Sequence, residues 1–153
     1  MRTRIKRGLG VATIFALHVA AALREAPLDR EEDASADFIE VGHVDEIEEG
    51  RAKIVRVAGE RVAIFKYDDC ISALSNVCQH QNGPLGEGRV IDGCVTCPWH
   101  GYQYDPASGA SPAPFEEKVP TFGVRLDGGR IFVSSRPNPP GTHVAPARIA
   151  AEA

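Results

Sequence analysis

Cys78-Gln79-His80-Gln81-Asn82-Gly83-Pro84-Leu85 and Cys97-Pro98-Trp99-His100-Gly101-Tyr102-Gln103-Tyr104-Asp105 are the two stretches from which this chain is read. Each holds one thiol and one imidazole, as C-x-H in the first and C-x-x-H in the second, with 16 residues between His80 and Cys97. A zinc finger takes a cysteine pair from one element and a histidine pair from another, so that four donors close on one small ion. Here each segment mixes the two donor types, and two loops must converge. A two-iron centre uses that pattern naturally, because each loop can place its thiolate on one metal and its imidazole on the other. A mononuclear zinc site is the competing reading.

Outward from these loops the chain is a series of short β-prone runs: Phe38 to Val41, Lys53 to Val57, Val62 to Tyr67, Ile71 to Leu74, Val90 to Ile91 and Cys94 to Thr96. Tyr102 to Tyr104, Val119 to Leu126 and Ile131 to Val133 follow. Gly59-Glu60, Asp68-Asp69, Asp92-Gly93 and Asp127-Gly128-Gly129 supply the residues that hairpin reversals need. Apart from a turn around Asp45 to Glu49, nothing from Phe38 to Val133 carries a helical period. The expected class is all-β, a sandwich or small barrel.

The ends differ in composition. Gly8 to Leu23 is an uncharged, largely apolar run of 16 residues behind Arg2, Arg4, Lys6 and Arg7. It falls short of the roughly 20 residues that span a bilayer and has the outline of a signal peptide, while a packed or membrane-surface helix is the plainer alternative. His18 within it would suit a haem ligand in a membrane bundle, but no second ligand helix accompanies it. Residues 26–37 are rich in Pro, Asp, Glu, Ser and Ala, as a solvated linker is. The division expected is an apolar segment and acidic linker over 1–37, a β domain over 38–135, and a Pro-rich tail over 136–153 that drapes over the domain or is disordered. With 17 basic and 21 acidic residues in 153, net charge −4, a general nucleic-acid binder is excluded.

The two loops resemble those of Rieske ferredoxins and of the Rieske domains of ring-hydroxylating oxygenases, and the resemblance runs from about Phe38 to Val133. It implies a Rieske-type antiparallel β-sandwich with a small cluster-binding subdomain made of two ligand loops, and one [2Fe–2S] cluster per chain. It also implies the metal ligands: Cys78 and Cys97 on a buried iron, His80 and His100 on an outer one. Two ferric ions with two sulfides carry about +2, so two thiolates bring the oxidised centre to about 0, where four would bring it to about −2. Adding an electron is easier at the neutral centre.

High-potential respiratory members resemble C-x-H-x-x-C and C-x-C-H, with a disulfide between the extra cysteines; Gly83 and Trp99 stand at those positions here. Those members also place a hydrogen-bonding serine where this chain has Tyr102. Tyr104 is expected to donate toward the Cys97 sulfur. These departures imply the low end of the Rieske range, roughly −150 mV. Pro84 and Pro98 stiffen the loops, while Gly83, Gly86, Gly88 and Gly101 permit close backbone approach, with ordinary turn chemistry the alternative for Gly86 and Gly88. Trp99 either screens the cluster or packs like any aromatic. The free edges of His80 and His100 form the electron port and, at alkaline pH, couple electron to proton movement.

The remaining candidates read as ordinary. Cys70 and Cys94 are small buried hydrophobes despite the Cys94/Cys97 spacing, and His43 and His143 are surface residues. A terminal oxygenase would need a two-His, one-carboxylate iron site, which His18, His43 and His143 are too scattered to supply. The expected function is a non-catalytic one-electron carrier, taking electrons from a flavin-containing reductase and passing them to an oxygenase or other oxidoreductase. The alternatives are the Rieske module of a membrane-bound oxidoreductase, tethered by Gly8 to Leu23, and a structural or zinc-binding β module. A cytoplasmic location is expected, with tethering or export as the alternatives.

Overall fold

Val62-Ala63-Ile64-Phe65 is an unbroken apolar run, the pattern of a strand buried on both faces. The computed structural model, which describes residues 38–150, places it that way. Strand β3 (Glu60–Tyr67) lies between β2 (Ala52–Val57) and β4 (Cys70–Ser75) in an antiparallel sheet. Successive side chains point to opposite faces. Val62 and Ile64 therefore enter one core with Ile71, Phe122, Ile131 and Val133, while Ala63 and Phe65 enter a second with Leu74, Leu85, Val95 and Val119. Each large side chain so buried is worth about 1.5–3 kcal/mol.

The first core is covered by an antiparallel sheet in the order β1 (Phe38–His43), β10 (Arg130–Ser134), β9 (Val124–Asp127). The second is covered by a smaller sheet in the order β5 (Arg89–Ile91), β6 (Cys94–Thr96), β7 (Gln103–Tyr104). That small sheet carries the ligand loops: one joins β4 to β5, the other joins β6 to β7. The fold is all-β, and the small sheet with its two loops is seated on the back of the central sheet.

Paired left-handed residues close the hairpins: Ala58 and Gly59, Asp68 and Asp69, Asp92 and Gly93, Gly128 and Gly129. This is the type I′ geometry whose twist matches that of the flanking strands. The first turn sits one residue earlier than the composition suggested, because Val57 pairs with Glu60 and leaves Ala58 inside the turn at φ 50°. The expected turn near Asp45 is a short 3-10 helix, Val44–Glu46.

Two features depart from the sequence reading. The run Val119 to Leu126, read as one strand, is two: β8 (Thr121–Phe122) pairs with β4, and after Gly123 the chain switches sheets so that β9 pairs with β10. The tail takes the draping alternative, but it also supplies a strand that its Pro-rich composition did not suggest. Asn138 N–H donates to the Thr121 carbonyl at 2.8 Å, and β11 (Ala147–Arg148) pairs with β4 beside β8. The apolar run Gly8 to Leu23, with His18, and the linker lie outside the described residues. No helix among the described residues is long and apolar enough to cross a membrane.

Candidate metal centre

The two loops are built alike. Cys78 N–H donates to the Gly83 carbonyl at 2.9 Å, and the Cys78 carbonyl accepts from Asn82 N–H at 2.9 Å. In the second loop Cys97 N–H donates to the Tyr102 carbonyl at 2.8 Å, and the Cys97 carbonyl accepts from Gly101 N–H at 3.0 Å. The residue four beyond each cysteine is left-handed, Asn82 at φ 61° and Gly101 at φ 75°, as the chain must reverse there. Each loop thus starts with a cysteine locked by two backbone hydrogen bonds and turns its histidine outward.

The donors are sorted by type. Cys78 and Cys97 are 1% and 3% exposed and belong to the second core. His80 and His100 are exposed, with ring centroids 4.8 Å apart and planes at 87°. Sulfurs inside and imidazoles outside is the disposition a two-metal group needs. Among the described residues, no three His, Cys, Asp or Glu side chains gather around one point as a single ion requires.

Groups that stabilise negative sulfur surround the thiols. Burial pushes the Cys97 thiol above its ordinary range, opposed by backbone N–H groups of Trp99 and His100 directed at it. The Tyr104 hydroxyl, fully buried, lies 3.2 Å from Cys78 Sγ and accepts from Gln79 N–H at 3.1 Å. Burial raises the hydroxyl well above the usual tyrosine range, so it holds its proton; with Gln79 using an acceptor lone pair, that proton is free for the sulfur. Tyr104 therefore serves Cys78, not Cys97 as the sequence suggested. Tyr104 on β7 pairs with Val95 on β6 and faces the core from there, a register that sequence spacing does not reveal.

Gly83 explains why no bracing side chain stands at its position. A Cβ there would lie 2.8 Å from Cys97 Sγ and 3.2 Å from the Trp99 ring. None of the four cysteines is in a disulfide. Trp99 is 56% exposed, so it is not core packing; its ring covers Gly83 from outside. Gly88 has no left-handed backbone; a Cβ there would collide with the Thr96 carbonyl, so close approach explains it better than turn chemistry. Asn76, buried, ties the base of the first loop by accepting from Gly86 N–H at 2.7 Å.

Two aromatic contacts escaped the sequence reading. The Tyr102 ring stacks on His80 at 4.1 Å and 12°, and Phe115 lies 5.5 Å from Tyr102. Phe115 is held in a tip between Ser111 and Glu117, closed by Ser111 N–H to the Glu117 carbonyl at 2.9 Å. The signal available in the sequence was Phe115 between Pro114 and a charged pair; in the structure its ring is 54% exposed. Elsewhere, Cys70 is buried and Cys94 only half-buried. The His43 imidazole accepts from Asp45 N–H and caps the 3-10 helix, while His143 is exposed in the tail.

A β domain ending in two such loops, with paired thiols behind paired imidazoles, is an iron–sulfur electron-transfer module. The Rieske [2Fe–2S] domain model matches residues 37–123, more than half of the chain, and the chain belongs to that family. It is 36% identical over 101 residues to the anthranilate 1,2-dioxygenase ferredoxin subunit of Burkholderia cepacia, covering 65% of this chain and 93% of that protein. It is 26% identical over 109 residues to the alkene monooxygenase system ferredoxin component of Xanthobacter autotrophicus, covering 71% and 89%. Among solved structures, the ferredoxin of carbazole 1,9a-dioxygenase from Nocardioides aromaticivorans superposes with a TM-score of 0.60 at 26% identity, covering 65% of this chain and 98% of that one. The cofactor is one [2Fe–2S] cluster per chain, and the protein is an electron carrier rather than a catalyst.

Proposed function

We propose that Cys78, Cys97, His80 and His100 hold the cluster, the thiolates on an inner iron and the imidazoles on an outer one, and that the carrier relays single electrons from a flavin-containing reductase to an oxygenase. The observation that carries the ligand assignment is the sorting of donors, with both sulfurs in the core and both imidazole rings in contact at the surface. When bound, the cluster supplies a one-electron couple. The chain's own residues do the rest. Tyr104 directs a hydrogen bond at Cys78 Sγ, the Trp99 and His100 amides oppose the upward shift of the Cys97 thiol, the second core excludes water behind them, and the exposed imidazoles give a partner the shortest approach.

The oxygenase as acceptor rests on the relatives, which are named ferredoxin components of dioxygenase and monooxygenase systems. The flavin reductase as donor rests on the low potential expected of a carrier without the bracing disulfide and the hydrogen-bonding serine, roughly −150 mV. The test is reconstitution: the purified chain, loaded to two irons and two acid-labile sulfides, should bleach with NADH and a flavin reductase and recover its colour on adding an oxygenase with its substrate. A carrier that no flavin reductase bleaches, or one with stoichiometric zinc and no colour, would defeat the proposal. Fractionation of cells expressing the full chain separates a cytoplasmic carrier from one tethered through Gly8 to Leu23.

A further inference from the structure

His80 and His100 are alike in sequence role but not in surroundings. One face of His80 is covered by the flat Tyr102 ring, 4.1 Å away and tilted by only 12°, and that ring is backed by Phe115. The His100 ring meets the His80 ring at 87°; no other ring contact of His100 is found among the described residues. Tyr102 is itself placed by its carbonyl, which accepts the Cys97 N–H at 2.8 Å. The second loop thus reaches across and braces the histidine of the first.

We propose that Tyr102 is a positioning residue for His80: it fixes the plane of that imidazole and favours the oxidised state of the carrier. The inference rests on His80 being a ligand, as proposed above. The physical cause is twofold. A phenol ring presents its negative face to the imidazole, which is the more positive partner when the centre is oxidised, and the same ring keeps water from that face, which favours the less charged form of the site. Both effects act in one direction and make the two histidines inequivalent.

The oxidised centre is neutral overall and its imidazoles carry only partial positive charge, so the value for an aromatic face on an exposed cation sets the upper bound: a change in the reduced-to-oxidised ratio at fixed potential of at most about two- to fivefold. At 59 mV per tenfold for one electron, that is a shift of roughly 20–40 mV. The experiment uses the full-length, cluster-loaded chain and its Tyr102→Phe and Tyr102→Leu variants, with midpoints by redox titration and nitrogen couplings by pulsed EPR on protein labelled with 15N-histidine. Tyr102→Phe should match the wild type in both. Tyr102→Leu, which keeps apolar bulk but no ring, should raise the midpoint and broaden one of two nitrogen couplings while leaving the other unchanged. Iron and sulfide content and circular dichroism check that each variant is folded and loaded. If wild type shows two histidine couplings but Tyr102→Leu leaves midpoint and line widths unchanged, the inference is overturned and the ligand assignment stands. If wild type shows no histidine nitrogen coupling, both fall. Should Tyr102→Leu fail to load, Tyr102→Phe decides: a midpoint or coupling different from wild type overturns the stacking argument.

Discussion

Replacing Tyr104 with Phe deletes one buried hydroxyl and nothing else of the ring, which makes it the sharpest probe of how the protein sets the potential. The hydroxyl sits 3.2 Å from Cys78 Sγ, and its oxygen already accepts Gln79 N–H at 3.1 Å, so its proton points to the sulfur. A hydrogen bond to sulfur is strongest when sulfur carries most negative charge, which is after the electron arrives. Hydrogen bonds to charged groups are worth about 1.5–3 kcal/mol net and ordinary ones about 1. The difference between oxidised and reduced states is then on the order of 1 kcal/mol, or about 40 mV for a one-electron couple. Tyr104→Phe should lower the midpoint by about that amount, read by redox titration of the visible bands. The Phe ring keeps the packing of the second core, so loading should survive. A midpoint that stays put, or rises, in a fully loaded variant would refute the donor role.

Three further outcomes are expected. Gly83→Ala puts a methyl 2.8 Å from Cys97 Sγ and against the Trp99 ring; overpacking of this kind costs about 1–3 kcal/mol, so iron content and melting temperature should both fall, and normal values would show that the loops have slack. Asn76→Ala leaves Gly86 N–H, buried and now bonded to Asn76 at 2.7 Å, without a partner, at about 1–3 kcal/mol, seen as a lower denaturation midpoint with the midpoint potential unchanged. Glu40 is held below the usual carboxylate range by the Arg130 guanidinium that donates to it. A lowered folded-state value gives stability that is present above the unfolded value and lost as pH falls through the folded one, so Glu40→Gln should narrow the gap between melting temperatures at neutral and acid pH, slightly, since the pair is exposed to solvent.

Much of the fold was legible because its strands are short, apolar and punctuated by residues that accept a left-handed backbone. Val62 to Tyr67 announced a strand, and Asp92-Gly93 and Asp127-Gly128-Gly129 announced hairpins; that the strand is buried on both faces came from the structure. The break at Gly123 was not legible, since Thr121-Phe122 and Val124 to Asp127 share one apolar rhythm while pairing in different sheets. Nor was β11, two residues long in a Pro-rich tail, whose pairing depends on β4 presenting a free edge. At the site, the donors stood out by residue type and spacing. What they touch did not: Tyr104 reaches Cys78 because of the β6–β7 register, and Tyr102 reaches His80 because the second loop folds across the first. Contacts between loops are set by tertiary placement, which local pattern does not encode.

The proposed ligand set leaves one iron among sulfurs alone and puts two imidazoles on the other, a difference read by Mössbauer spectroscopy of the 57Fe-loaded, oxidised full-length chain. Two quadrupole doublets of equal area with distinct isomer shifts are expected, one from each iron. A single doublet from two equivalent sulfur-ligated irons, or protein that takes up zinc and shows no iron doublets, would contradict that ligand set.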